Sequence, residues 1–295
     1  MSFSLTADHT GPAEEVVGVE LTIDGVLVLA ARLGLSEFPM TLGIRPNIPQ
    51  QEVRDLVWGQ VRRDLTDQGV LDPNGQPHPA VAAMIHTLSL PDRTLEGRWW
   101  RPDMGDVMVR FAVCRKDESH VIAVRDGDLL VLQRVAPQVG LAAMVTAVLG
   151  SAEHADVEPM TGVARELASC TTEAQLAQFR IGLESARRYI EIITNPRSWA
   201  EIIAGERQRN GSFVHTPVAA GVLDSAWGRV VSLPRRVGGE LYGSFLPGTS
   251  QNLELSLEGL LLFLPAGTWF DDDETPFKVG EEGRHAPAPP SASDR

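Results

Sequence analysis

The sequence predicts an α+β fold, an antiparallel sheet with flanking helices in two pseudo-symmetric subdomains, and three observations predict it. Four short β-rich runs between residues 95 and 135 follow one another at hairpin spacing, as an antiparallel meander requires. Apolar residues recur at helical spacing before and after that meander. A second β-rich stretch opens at Asn210-Gly211 and again gives way to a leucine-rich helix, so the order of element types is repeated.

Residues 19–23 alternate apolar and polar side chains, the pattern of a half-buried strand. Asp24-Gly25 would turn that strand into a hairpin. Thr22 would instead cap a helix in which Ile23, Val26, Leu27, Ala30 and Leu33 share a face and Gly34 is the stop. Strand then helix is the expected order. A helix over 49–68 comes next, with Val53, Leu56, Val57, Val61 and Leu65 in one stripe, Arg and Asp opposite, and Gly69 at its end. Leu71-Asp72-Pro73-Asn74-Gly75 reads as a turn and 80–88 as a short helix. The meander has strands at 95–101, 106–115, 120–125 and 128–135, and a helix over 137–149 stops at Gly150.

Residues 159–206 read as helical throughout. Thr172 and Gln175 have the spacing of a capping box, and Leu176, Phe179, Leu183, Ala186, Ile190 and Ile193 step by three and four along a packing seam. Asn195-Pro196 breaks that helix and starts a shorter one, giving a helical hairpin. Strands at 212–219, 228–233 and 239–245 and a helix over 249–264 complete the order. The subdomains are expected at 10–150 and 151–275, and Val19-Glu20-Leu21-Thr22-Ile23-Asp24-Gly25-Val26-Leu27 is similar to Leu253-Glu254-Leu255-Ser256-Leu257-Glu258-Gly259-Leu260-Leu261. Residues 281–295, rich in Pro, Ala, Ser and charge, are expected to be a disordered tail, because they hold too little apolar surface to offset the entropy of ordering.

Composition narrows the function. The 295 residues carry 26 Lys and Arg against 39 Asp and Glu, a net charge of −13, and the densest basic stretches are the pairs Arg62-Arg63, Arg187-Arg188 and Arg235-Arg236. A surface that acidic repels phosphate backbones, so no nucleic-acid partner is expected. No basic-then-apolar leader opens the chain, and apolar runs such as 260–264 are far below the roughly 20 residues that span a bilayer. A cytoplasmic protein without membrane insertion is expected. Cys114 and Cys170 are far apart with no metal-ligand spacing, which indicates neither a disulfide framework nor a zinc site.

The search for chemistry finds no constellation. Gly-x-x-x-x-Gly-Lys-Ser/Thr, Gly-x-Gly-x-x-Gly, Gly-x-Ser-x-Gly and His-Glu-x-x-His are all absent, so no cofactor, metal or catalytic residue is expected. Asp271-Asp272-Asp273-Glu274 is read as a solvated acidic loop, since consecutive carboxylates point apart. Cys170 before Thr171-Thr172 is read as a small residue near a helix cap. Trp99-Trp100, flanked by Arg98 and Arg101, is either a recognition platform or a strand with one Trp in the core; adjacent strand residues point to opposite faces, so one of the two should meet solvent.

Three segments, taken in order and spacing, carry a resemblance. They are Val19-Glu20-Leu21-Thr22-Ile23-Asp24 with Leu33-Gly34-Leu35 and Phe38-Pro39; Gly221-Val222-Leu223-Asp224-Ser225 with Gly228-Arg229-Val230-Val231; and Leu246-Pro247-Gly248-Thr249 running to Leu264-Pro265-Ala266-Gly267-Thr268-Trp269. Over about residues 10 to 275 the chain resembles the EspG family of type VII (ESX) secretion-associated proteins. That resemblance implies a pseudo-symmetric α+β fold with a central antiparallel sheet and no catalytic centre. It also implies a cytosolic chaperone that binds the PPE tip of PE/PPE heterodimers, keeps them soluble and presents them, indirectly, to ESX secretion machinery.

The family's contact residues do not transfer through these segments, so the expected partner face rests on strand alternation. Ser212, Val214 and Thr216 form one mixed row, Arg229 and Val231 extend it, and Trp100, Arg101 and Asp103 form a projecting hairpin lip. Two other readings stay open: a small-molecule enzyme with Asp224 and His215 meeting in a cleft between the subdomains, and a permanent structural subunit. A concave pocket with converging polar groups would favour the enzyme, a broad exposed face of about 800 Å² per partner the chaperone.

Overall fold

Thr22 decides how the chain enters its fold. Its hydroxyl accepts from the Gly25 amide at 3.0 Å, so strand β1 (Gly18–Thr22) passes directly into helix α1 (Ile23–Leu33), which Gly34 closes at φ 71°. Such a cap is worth about 1 kcal/mol. The structure, a computed structural model, describes residues 17–270. After α1 come a 3-10 turn (Met40–Leu42), α2 (Gln51–Asp67) and α3 (Pro79–Ser89). The first meander is β2 (Arg93–Arg101), β3 (Val107–Lys116), β4 (Ser119–Asp126) and β5 (Leu129–Val135), followed by α4 (Leu141–Leu149). The second half runs β6 (Met160–Val163), α5 (Ala164–Ser169), α6 (Glu173–Ala177), α7 (Leu183–Thr194), β7 (Ser198–Arg207), β8 (Phe213–His215), β9 (Ala220–Ser225), β10 (Gly228–Val237), β11 (Glu240–Pro247) and α8 (Ser250–Leu261).

All these strands join one antiparallel sheet in the order β1-β5-β4-β3-β2-β7-β9-β10-β11-β6, with β8 laid against β7 beyond β9. Read inward from its two edges, the sheet repeats itself. Each half has an edge strand, then the last, third and second strands of a meander, and finally the meander's first strand at the centre. Pairing of β2 with β7, from Arg93↔Glu206 to Trp100↔Trp199, joins the halves antiparallel and so relates them by a pseudo-two-fold.

Side-chain alternation divides the core between the two faces of the sheet. On one face, Leu95, Phe111, Val113, Ala200, Ile202, Val222 and Val231 meet Leu141, Met144 and Val145 of α4 and Leu253, Leu257 and Leu260 of α8. On the other face, α1 and α3 cover Ala112, Cys114, Ala123, Leu130 and Leu132 of the first half. The helices α5, α6 and α7 bring Leu167, Leu176, Ala186, Tyr189 and Ile192 over Met160 and Val230 of the second. At the sheet centre, Gly97 lies directly opposite Phe111, and a Cβ on Gly97 would sit 2.1 Å from the buried ring. The missing side chain is what lets the ring lie flat on β2.

The expected strand and helix at 19–33, the first meander, and the helices ending at Leu149 and near Leu261 are all present. The segment 159–206 is corrected. It holds two strands and three short helices, because Arg180, at φ 63°, ends the apolar stepping in a left-handed turn and Gly182 caps a new helix. After Asn195-Pro196 the chain enters β7, not a helix, so there is no helical hairpin; Leu183 and Ile193 of the supposed seam are exposed. Of the expected strand at 212–219 only Phe213–His215 is a strand, β8, and β9 begins at Ala220, where no strand was expected; only Leu65 of the α2 stripe is buried, with Leu56 77% exposed. The likeness between 19–27 and 253–261 is not the structural repeat either. The first segment is strand and helix, the second lies wholly in α8, and the counterpart of β1 is β6. The tail at 281–295 lies outside the described residues.

Gly97→Ala is expected to lower stability by about 1 to 3 kcal/mol, the cost of overpacking a filled core, while Gly69→Ala, a helix-end position with open space, is limited to the strain of its φ of 72°. Urea titration of the two variants side by side reads the difference.

Candidate partner-binding face

Register alone assembles a surface at the sheet centre. Antiparallel pairing sets Met108, Trp100 and Trp199 side by side across β3, β2 and β7, and one step along sets Arg125, Arg110, Arg98 and Glu201 across β4, β3, β2 and β7. Their immediate neighbours Trp99 and Ala200 belong to the α4–α8 core, so both rows lie on the opposite face. Met108, Trp100, Trp199 and Ile203 are half-buried, and none packs against the three apolar clusters found among the described residues. The cause is geometric. Helices of the first half and the Met40–Leu42 turn stop at β2 and β3, α7 stops at β9, and among the described residues no α-helix packs on the strip between them.

Further along the same face lies a polar seam. The Glu96 carboxylate is buried in β2, accepts from the Thr41 amide and the Thr94 hydroxyl at 3.0 Å each, and meets His215 Nε2 at 3.0 Å. Burial works to raise the Glu96 carboxyl, but the bonds from His215 and Thr41 hold it below its ordinary value. The same bond to Glu96 raises the His215 imidazole against its own burial.

Of the residues expected from sequence, Trp100 lies in the uncovered row, and Trp99 packs against the core on the other face, as one-in, one-out alternation requires. Arg101 lies over the Trp99 ring at 4.3 Å and grips Asp103 with two bonds, Nε–Oδ1 at 2.8 Å and Nη2–Oδ2 at 2.9 Å. That guanidinium holds the exposed Asp103 carboxyl below its usual range. The lip is therefore a stiffened one. Ser212 is exposed and its hydroxyl donates to Asn210 Oδ1 at 2.7 Å, fixing the turn before β8.

Four expected contact residues are corrected. Val214 packs against the core, and Thr216 is buried, its hydroxyl accepting from the Ala204 amide and donating to the Val218 carbonyl. Val231 is fully buried under α8's side of the sheet. Arg229 is 3% exposed: Nε and Nη2 clasp the Asp224 carboxylate at 2.6 and 2.8 Å, Nη1 donates to the Gly150 carbonyl, and its stem fills the space a Cβ on Gly248 would need. It ties the two halves' connecting segment to β10. Arg229 and Val231 stand on β10, interior to the sheet, whereas Val214 on the short edge strand β8 faces the core and Thr216 just beyond it bonds back to β7; alternation assigned a face without showing what lies above it. Sequence reasoning in turn missed Trp199, Met108 and Ile203. Trp199-Ala200-Glu201-Ile202 alternates as a strand does, a signal masked by reading Asn195-Pro196 as a helix start.

Asp224 and His215 do not meet. The first is held by Arg229 and Ser198, the second by Glu96. Cys170 follows the last turn of α5 with its thiol donating to the Glu166 carbonyl, and burial pushes the Cys114 thiol well up. Among the described residues no group of three or more His, Cys, Asp or Glu could hold a metal ion, and no helix is long and apolar enough to cross a membrane. Asp271-Asp272-Asp273-Glu274 lies outside the described residues.

A repeated sheet that leaves an aromatic row uncovered between two helical layers defines a surface-presenting α+β scaffold. Residues 22–259 match the sequence profile of the EspG family, and the chain belongs to that family. It is 66% identical over 271 residues to the ESX-1 secretion-associated protein EspG1 of Mycobacterium marinum, covering 92% of this chain and 97% of that one. It is 67% identical over 265 residues to the protein of the same name in Mycobacterium tuberculosis, covering 90% and 94%. Identity to the ESX-3 secretion-associated protein EspG3 of Mycolicibacterium smegmatis is 30%, covering 86% and 89%. In fold the chain is similar, with a TM-score of 0.69, 18% identity and coverage of 85% and 98%, to the type VII secretion system chaperone EspG5 of Mycobacterium tuberculosis, solved in complex with a PE25-PPE41 dimer.

The Glu96–His215 pair fixes a pH window. A raised imidazole contributes fully below its ordinary 6.5 and loses that contribution as pH rises through the folded-state value. A lowered carboxyl contributes fully above its ordinary 4.5 and loses it as pH falls through the folded-state value. The pair therefore stabilises most between 4.5 and 6.5. Chemical denaturation from pH 6 to pH 9 is expected to show a decline in stability that His215→Gln flattens.

Proposed function

We propose that this chain is a cytoplasmic chaperone that binds a PE/PPE heterodimer through the tip of the PPE subunit, keeps it soluble and presents it to an ESX secretion system. The observation that carries the reading is the uncovered Met108–Trp100–Trp199 row in a chain of the EspG family. The names of its relatives and the complex named for its structural neighbour support the same role. In this role residues 10–150 and 151–275 act as two subdomains of one body. Contact with the machinery itself is indirect.

The physics is simple. A helical partner with an apolar tip aggregates when alone, and covering that tip removes apolar area from water at about 25 cal/mol per Å² before the cost of association is subtracted. Trp and Arg contribute most in such interfaces, Trp by burying a large rigid ring and Arg through the several donors of its planar guanidinium. Trp100 and Trp199 are the central anchors in this proposal. Arg101 and Asp103, half-exposed and exposed at the end of β2 next to Trp100, form the rim, and Ser212, at the opposite end of β7, lies outside it. Rim charges affect the rate of association more than the strength.

Co-expression with candidate PE/PPE pairs followed by size-exclusion chromatography is expected to give one complex of three chains. Trp100→Ala and Trp199→Ala are each expected to weaken that complex by about tenfold or more in calorimetry, as hot-spot truncations do, with Asp103→Ala changing it far less. Unaltered binding by the double Trp variant removes this face as the contact. Turnover of a small molecule by the free chain, with no complex formed, overturns the reading altogether.

A further inference from the structure

On an acidic chain, one recess is basic. A cavity of about 530 Å³ opens between the loop after Met40–Leu42 and the ends of β3 and β4, lined by Gly43, Arg45, Asn47, Met108, Arg110 and Arg125 among others, with no carboxylate in its wall among the described residues. The whole chain carries a net charge of −13, so three guanidinium groups around one cavity run against its composition. Among the described residues none of the three is in an ion pair.

Backbone carbonyls hold two of these groups in place. Arg125 donates from Nε to the Gly127 carbonyl at 2.8 Å and from Nη1 to the carbonyls of Leu42 and Gly43 at 2.6 and 2.7 Å. Arg110 donates from Nη1 to the Thr41 carbonyl at 3.1 Å. Gly43, at φ 59°, makes the close approach possible, since a Cβ there would sit 3.3 Å from Arg125 Nη1. Neutral acceptors position a guanidinium but leave its charge in place. Burial, Arg110 and Arg45 all act to lower the Arg125 guanidinium, and Asp128 on the β4–β5 turn opposes them. The Nη2 groups of Arg110 and Arg125 bond to no described protein atom.

Guanidinium forks match the planar or tetrahedral geometry of carboxylate and phosphate, and fixing them beforehand removes the ordering cost of binding. Among the described residues the recess has no aromatic wall on which a base or ring would stack; Met108 is its apolar member. We propose that this recess is an oxyanion site, taking a compact phosphate or carboxylate group. Its place in the sheet, where the Arg125–Arg110–Arg98 row adjoins Met108 and Trp100, allows the group to be a free anion or an acidic side chain of a protein bound to the neighbouring strip.

The test uses the full chain without a partner, so it stands whether or not the chaperone reading does. Titration with inorganic phosphate and with citrate at low ionic strength, followed by calorimetry, is expected to show saturable binding. Arg45→Gln and Arg110→Gln are each expected to weaken it at least tenfold, and Arg62→Gln, on the exposed side of α2, to leave it unchanged. Arg45 is exposed and bonds to no described residue, so its variant is expected to keep the parent's melting temperature. Absence of saturable binding by both anions, or equal binding by the Arg45→Gln and Arg110→Gln variants, overturns the site. Repeating the titration on the chain in complex with a PE/PPE pair separates the sources: lost binding assigns the site to a partner carboxylate, and retained binding to a free anion.

Discussion

The pairing of β2 with β7 is the constraint from which the rest of the structure follows. Each half contributes the first strand of its meander to the joint, and their antiparallel ladder runs from Arg93↔Glu206 to Trp100↔Trp199. Small residues on β7, Ala200 and Ala204, together with Leu95 on β2, let α4 from one half and α8 from the other share a single apolar cluster across the joint. Neither half closes its own core on that face. The two halves are thus one folding unit on one side of the sheet and two separate helical layers on the other.

That asymmetry makes the exposed strip. Helices following an edge strand return over their own half, so the two layers diverge from the pseudo-two-fold and leave the central strands uncovered. Ordinary surfaces hide Trp, yet here two stand next to each other on paired strands. Further along the same face the Glu96–His215 pair anchors β2 to β8, and beside the tryptophans arginines from three adjacent strands align. Apolar, titratable and basic features therefore adjoin one another because a single register fixes all of them.

The sequence shows a good part of this. Caps and alternation make the first half legible: Thr22, Gly34, the four hairpin-spaced strands and Gly150 each act within a few residues of themselves. The second half is harder to read because its signals are short. The Thr172–Gln175 capping box is real but opens a helix of only five residues, and a positive φ at Arg180 breaks a pattern that otherwise steps as one long helix. The site is legible only in part. Trp100 stands out as a flanked aromatic in a strand, whereas Trp199 becomes its neighbour through the Trp100↔Trp199 pair, and Arg229 looks like a surface arginine until Asp224 and Gly150 enclose it.

What the sequence by itself determined is local and compositional: the α+β class, the helix caps, the hairpins and the acidic net charge. Its ordered resemblance to one family was legible as well. Only the tertiary structure decided which strands are central, which sheet face has no helix above it, and which arginines gather around one cavity. Strand alternation has a period of two residues and assigns every side chain to one of two faces, but cover depends on elements brought in from far along the chain. Burial is a property of that assembled neighbourhood.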